Sequence, residues 1–406
     1  MSRISDLDAW IDDTSGPGWV WYAKYLSAND TYAKANVHQA GPYIAKELLA
    51  RVFPETHAKV SSVENPDHWL NARIDSDGWV DDVRLVWYNS KVLKGQRNGR
   101  DEARLTNWGG AGTPLVAPEA TGSLVTFAFH AEEERDADEV RIWIAADELE
   151  TDRLLELFGD VTPGNPVTLS RDGFETAPAT RDDCSCDPNE LPAGWAAAFP
   201  SGEEIVEWVL AHRPKWARLG VDARLLKRIE CEYALFRSVE AAHVLPRVRG
   251  GFNTVEEFIR LANAVTNRRK ARAGRSLELQ VRAILDELKV SYSPTPITEG
   301  ARRPDFIFPS IEQYHNAAWP SNRLRMLAAK TTCKDRWRQI LNEAARIPMK
   351  HLLTLQHGVS EQQHEEMVEE DVVLVVPVKL MEKYPASVQP RLLTLEKFMS
   401  EARAVE

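Results

Sequence analysis

The sequence predicts two domains of different class: a β-rich N-terminal half, then an α/β half built on a mixed central sheet flanked by helices. Three observations carry this. The chain has 406 residues, more than one compact core usually organises. Its apolar pattern changes from short β-branched and aromatic runs to helical spacing across a stretch rich in Pro, Gly and acids at 171–195. Its charge changes there too: residues 1–175 hold 17 Lys and Arg against 30 Asp and Glu, and residues 176–406 hold 33 against 31. The boundaries that follow are 1–175, a linker over 176–195, and 196–406.

The first half opens on an acidic amphipathic segment, "MSRISDLDAWIDD", read as a helix. Strands follow at 78–90, 122–130 and 139–146, where β-branched and aromatic residues concentrate. Residues 147–159 start acidic and end on Gly159, the marks of a helix. Beyond the linker, 201–212, 223–245 and 254–265 have helical spacing. A further helix is expected over 276–290, with Ser276 as N-cap and Leu277, Val281, Ile284, Leu285 and Leu288 on one face. Strands and helices then alternate: strand 304–308, strand 324–332, helix 334–347, strand 351–356, helix 360–370 and strand 371–378. Ser360 and Gln363 form a capping box, and the aliphatic run at 371–378 suits a strand buried on both faces.

Composition narrows the function. With 43% hydrophobic and 27% charged residues the chain is an ordinary globular one. No run reaches the roughly 18 apolar residues of a membrane span, and the N-terminus lacks the marks of a signal peptide. A cytoplasmic protein is expected. The four cysteines show no zinc-ligand spacing and are expected as reduced thiols. The net charge of −11, taken whole, argues against a nucleic-acid partner. Two local segments argue the other way: "NRRKARAGR" (267–275) has five basic residues in nine, and "KTTCKDRWR" (330–338) is also rich in Lys and Arg. Solvated helix faces would read the same way.

The chemistry concentrates in "RRPDFIFPS" (302–310) and "MLAAKTTCKDRWRQILNEA" (326–344). Asp305 begins an apolar strand, where it is either a turn-former after Pro304 or a ligand. Lys330 ends an apolar run, where it either snorkels to solvent or faces a carboxylate. On a helix over 334–347, Trp337, Ile340, Leu341, Ala344 and Ala345 make an apolar stripe, with Asp335, Arg336, Gln339 and Glu343 opposite. That polar side alone reads as a solvated face. Together, two acids and a lysine on neighbouring elements suit phosphodiester hydrolysis. Mg²⁺ takes oxygen ligands, and a lysine steadies charge developing on phosphate.

"PD" at Pro304–Asp305 with Lys330 resembles the PD-(D/E)xK nuclease superfamily. The acid usually found two residues before the lysine is replaced by Ala328. Glu343, thirteen residues after Lys330, resembles the displaced acid of restriction enzymes that read CCGG, CCNGG and CCWGG sites. "CKDRWRQ" resembles their base-reading stretch. Arg to guanine and an acid to cytosine N4 are sound major-groove contacts. Longer strings, "NRRKARAGRSLEL", "ITEGARRPDFIFPS", "LSANDTYAKANVHQAGPYI" and "RLTNWGGAGTPL", are similar to EcoRII-type (type IIE) restriction endonucleases over most of the chain.

This resemblance implies a bacterial, Mg²⁺-dependent enzyme with a restriction-endonuclease-like C-terminal domain that cuts double-stranded DNA at a CCWGG-like site. It implies a homodimer, and a barrel-like N-terminal effector domain that binds a second site and relieves autoinhibition. A protecting cytosine methyltransferase is also implied. Carried over by position, Asp305 and Glu343 are metal ligands, Lys330 is the catalytic lysine, and Glu278 and Tyr314 lie at the active site. Lys334, Asp335 and Arg336 read the site, and Arg228 stacks on a flipped base. His38, Tyr43, Arg100, Glu102 and Arg104 contact DNA in the effector domain. A repair or junction nuclease, or an inactive DNA-binding regulator, are the alternatives.

Overall fold

The computed structural model of the chain describes residues 3–33, 41–96, 100–159, 161–170, 173–176, 184, 191–212, 216 and 218–406. They fall into two compact units. Unit 1 is 1–177 with 356–366 and 382–390; unit 2 is 178–355 with 367–381 and 391–406.

Unit 1 is built on one sheet. Its strands are β1 (Trp19–Tyr25), β2 (Tyr43–Ile44), β3 (Asp67–Ile74), β4 (Trp79–Tyr88), β5 (Glu102–Thr106), β6 (Leu124–His130), β7 (Glu139–Ile144), β8 (Val167–Ser170) and β9 (Gly173–Thr176). They run in the order β2-β5-β4-β3-β7-β6-β1-β8-β9, antiparallel except for β3 beside β7. Strand alternation sorts the side chains into two cores. Val20 and Tyr22 of β1 join Phe127 and Phe129 of β6 in the larger one. Trp21 and Ala23, one residue out of phase, join Leu124 and Ala128 in the other. The helices Arg3–Thr14 and Glu148–Phe158 close this second core with Leu7, Trp10, Leu154 and Phe158. Asp147 caps the latter helix by accepting the Glu150 N–H at 2.9 Å.

Unit 2 holds the mixed sheet. Its strands are β10 (Ser293–Pro294), β11 (Phe306–Phe308), β12 (Arg325–Lys330), β13 (Lys350–Thr354) and β14 (Val372–Val375), in that spatial order. The β10–β11 and β11–β12 pairs are antiparallel, while β12, β13 and β14 are parallel. Leu277, Val281, Ile284 and Leu285 pack on this sheet against Phe306, Phe308, Leu327 and Leu353. Leu288 borders the same core.

The helices differ from expectation in two places. The segments 254–265 and 276–290 form one continuous helix, Val255–Leu288, capped at Thr254 and passing through the basic run. Ser276 is therefore not an N-cap; its hydroxyl bonds the Glu232 carboxylate. Gly274 costs the helix about 1 kcal/mol, which its packing against Val221–Gly250 overrides. The basic run is largely spent on ion pairs. Arg269 bonds Glu240 at 2.5 Å, Arg272 bonds Glu232 at 3.1 Å and Arg275 bonds Glu203 at 2.6 Å.

The Arg272–Glu232 pair is nearly sealed from water, with side-chain exposures of 8% and 2%. Glu232→Ala should cost about 3–5 kcal/mol by stranding the guanidinium. Urea unfolding of unit 2 measures this; a loss below about 1 kcal/mol would show that the pair is solvated.

The second difference is at 334–347. Only Arg336–Ile340 is helical, as one tight 3₁₀ stretch. Turns follow, and Ala344 adopts a left-handed φ of +47°. A third difference concerns the cysteines: Cys184 and Cys231 are joined as a disulfide. Cys333 is buried, its thiol pushed up to about 12 by burial. Cys186 lies outside the described residues.

Candidate active site

The sheet explains why Asp305 and Lys330 meet. Phe306 pairs with Leu327 across the antiparallel β11–β12 ladder, so Asp305, one residue before β11, lies beside the C-terminal end of β12. Its Oδ2 accepts the Ala329 N–H at 2.7 Å and the Lys330 ammonium at 3.1 Å. Asp305 is 9% exposed. A carboxylate this buried is tolerated because it is charge-paired and hydrogen-bonded.

Two further acids feel the same charges. Burial and then the Asp305 carboxylate push Glu343 up to about 7, against the pull of Lys330 and Lys350. Burial and then Asp305 likewise push Glu278 up to about 7, against Lys330 and Arg275. Asp305 comes from the edge of β11, Lys330 from the end of β12, Glu343 from the turn after the 3₁₀ stretch and Glu278 from the long helix. Four elements thus deliver three carboxylates and one ammonium to a common field.

This donor set, all oxygen with an excess of negative charge, fits a hard divalent cation. Among the described residues no group of three acidic, histidine or cysteine side chains is placed to hold a metal ion. Mg²⁺ does not demand one, since it is usually held by one or two carboxylates plus water and phosphate oxygens.

Glu343 is held by contacts that spacing does not reveal. Lys350, 5% exposed at the start of β13, sends its ammonium to the carbonyls of Glu343 (2.5 Å), Ala344 (2.8 Å) and Ile347 (2.5 Å). Tyr314 is buried; its hydroxyl donates to Glu299 at 2.6 Å and accepts the Arg346 N–H at 3.3 Å. Burial and the Glu299 bond raise the Tyr314 pKa, so the phenol stays protonated. Glu299 also accepts the Ala345 N–H at 3.2 Å. Tyr314 thus braces the turn that follows Glu343. The only advance sign of this turn is "RIPMK" (346–350), where Pro348 interrupts a helical pattern.

Two family models match the chain: "EcoRII C terminal" over residues 236–399, and "Restriction endonuclease EcoRII, N-terminal" over residues 15–172. The type II restriction enzyme EcoRII of Escherichia coli is 41% identical over 408 residues, covering 98% of this chain and 97% of that protein. The chain belongs to the EcoRII family of restriction endonucleases.

Solved structures similar to this EcoRII-family chain include a PspGI–substrate DNA complex, with 14% identity, a TM-score of 0.43, and coverage of 55% of this chain and 98% of that one. Another is metal-depleted Ecl18kI with uncleaved, modified DNA, with 18% identity, a TM-score of 0.44, and coverage of 54% and 84%.

In the EcoRII C-terminal match, Lys334, Asp335 and Arg336 follow β12 after the short link 331–333. Asp335 is exposed at the start of the 3₁₀ stretch, and Trp337, 2% exposed, anchors it from below. The short 3₁₀ stretch replaces the expected helix, so Arg336 and Glu343 do not share a helix face. Arg228 precedes the C-terminal match and does not join the cluster. It is buried on the Val221–Gly250 helix and bonds the partly exposed Glu287 carboxylate at 2.5 Å.

In the EcoRII N-terminal match, His38 lies outside the described residues. Tyr43 and Arg104 face each other across β2 and β5. The Arg104 guanidinium holds the carbonyls of Asn29 and Gly41 at 3.0 Å each and bonds Glu102 at 2.9 Å. Gly41 permits this close packing: a Cβ there would sit 1.9 Å from the Leu105 carbonyl oxygen. Arg100 is largely exposed, with its guanidinium 5.9 Å from the Tyr88 ring centroid. The sequence reading missed Lys24 and Asp30, a buried pair at 3.0 Å that also holds the Tyr43 backbone: Asp30 accepts its N–H and Lys24 bonds its carbonyl.

Proposed function

We propose that this restriction endonuclease hydrolyses both strands of DNA at a CCWGG-like site with Mg²⁺. Residues 196–406 carry the chemistry as a homodimer, and residues 1–175 act as an effector domain that binds a second copy of the site. The observation that carries the reading is the Asp305–Lys330 pair at 3.1 Å with two carboxylates, Glu278 and Glu343, raised by the same field. Asp305 and Glu343 would hold the metal, with Glu278 close by. When bound, the ion supplies charge neutralisation at the phosphate and an acidified water. Lys330, oriented by Asp305, offers its ammonium to charge developing on the phosphate. Lys334, Asp335 and Arg336, beyond β12, read the G·C pairs, where an Arg–guanine bidentate contact contributes about 1–3 kcal/mol of discrimination. Among the described residues no helix is long and apolar enough to cross a membrane, and the proposed setting is the bacterial cytoplasm beside a protecting cytosine methyltransferase.

Digesting a genome with the purified protein and sequencing the ends tests this directly. The ends should share one CCWGG-like site, and cytosine methylation should protect it. Ends at unrelated positions would point to a repair nuclease. Specific binding with no ends at all would point to an inactive regulator.

The effector role makes its own prediction. A fragment starting near residue 190 should cut DNA bearing one site faster than the full chain does. An unchanged rate would remove the autoinhibitory role.

A further inference from the structure

Glu343 presents a mechanical problem. An acid two residues before Lys330 would ride on β12 and inherit the rigidity of the sheet, but Ala328 occupies that position. Glu343 sits instead on a turn, and turns are held less firmly than strands. A metal ligand must be fixed to within about half an ångström to be useful.

The turn cannot fix itself. In a continuing helix the Ala344 carbonyl would accept the N–H of residue 348, but Pro348 has none. The Ile347 N–H, which would serve Glu343, goes to Ala344 at 2.9 Å. Ala344 at φ +47° is itself an unfavourable conformation for a residue with a Cβ. Three carbonyls, of residues 343, 344 and 347, are thereby turned toward one point, and the Lys350 ammonium fills it. A lysine buried to 5% exposure is rare. This one bonds the carbonyl of Glu343 itself and two carbonyls that follow it, rather than a surface carboxylate.

Lys350 is also the first residue of β13. Its neighbour His351 pairs with Leu327, three residues before Lys330. Lys350 therefore ties the turn to the same sheet that presents Asp305 and Lys330. On the outer side, Arg346 completes the hold by donating to the carbonyls of Asn316 at 3.1 Å and Trp319 at 2.7 Å.

We infer that Lys350 is a positioning residue for metal binding: its ammonium mounts the Glu343 turn on the central sheet, in place of the strand that would otherwise carry the acid. The inference rests on the proposed role of Glu343 as a ligand.

The test uses the full-length protein with Mn²⁺ as the metal probe, read by electron paramagnetic resonance as free against bound ion, beside the Mg²⁺ midpoint for cleavage. Asp305→Asn is the control for the site. If wild type binds no Mn²⁺ that Asp305→Asn removes, the metal site itself is wrong, and the role of Lys350 falls with it. If that control holds, Lys350→Met should weaken Mn²⁺ binding by roughly 10–100-fold, the range for groups that orient metal ligands. The Mg²⁺ midpoint should rise in parallel, and the rate should partly recover at high Mg²⁺.

Leu353→Ala, in the core of the same strand, should lower thermal stability without moving either metal readout. Unchanged Mn²⁺ affinity in folded Lys350→Met would overturn the inference, as would an equal loss in Leu353→Ala at matched stability. If Lys350→Met does not fold, Lys350→Arg decides. No guanidinium nitrogen carries the three N–H bonds that one ammonium sends to the three converging carbonyls, so its Mn²⁺ affinity should fall several-fold, and wild-type affinity would reduce Lys350 to a folding role.

Discussion

Lys330→Ala is expected to reduce DNA cleavage on the order of 10³-fold while leaving site-specific binding largely intact. The magnitude is that of removing a positioned donor from developing phosphate charge. The selectivity follows from geometry. The Lys330 ammonium is directed at Asp305, 3.1 Å away, and its side chain is only 22% exposed. The side chains proposed to read bases belong to the next segment, anchored by buried Trp337. Single-turnover cleavage and metal-free gel-shift binding on the same duplex separate the two effects. Parallel loss of both would mean that Lys330 is a DNA-backbone contact or a structural support.

Asp305→Asn should abolish cleavage to a similar degree, by removing a proposed metal ligand and releasing Lys330. Its signature differs in the metal-free protein. Glu278 and Glu343, each raised to about 7 from 4.5, bind protons more tightly folded than unfolded. Their contribution to stability is fully present below about pH 4.5 and is lost as pH rises through 7. Asp305 raises both, so Asp305→Asn should flatten the decline of metal-free stability between about pH 5 and 8. Lys330 lowers both, so Lys330→Ala should steepen it. Thermal melts across that range, compared with wild type, test the pair. Shifts of the same sign in both variants would mean that the four groups do not share one field.

Much of this was legible in the chain. The strand with Asp305 at its edge, the apolar run ending on Lys330 and the sheet-packing face Leu277–Leu285 are local patterns, and the folded elements follow them. Glu278 needed the resemblance, since a first-turn glutamate and an active-site acid look alike in sequence. The break in the helix at 334–347 was missed because its apolar stripe is regular through Ala345. The opposing signal, Pro348, removes a donor and crowds the carbonyl four residues earlier, but it lies just past the last residue of the expected helix.

What the sequence by itself determined is the inventory: the strands that carry Asp305 and Lys330, and which acids and lysine are available; the longer strings marked the family, while strands such as Trp19–Tyr25 and Asp67–Ile74 were not read from it. Periodicity records those strands because they are set by neighbours within a strand. Only the tertiary structure decided how those groups are used. The basic run at 267–275 became interhelical ion pairs because Glu232 and Glu240 face it, Arg228 was drawn into the interior by Glu287, and Glu343 was fixed by an ammonium seven residues away. Each is a polar group whose partner is chosen by packing. A buried charge must find a partner wherever the fold provides one, and sequence spacing does not specify which side chain that will be.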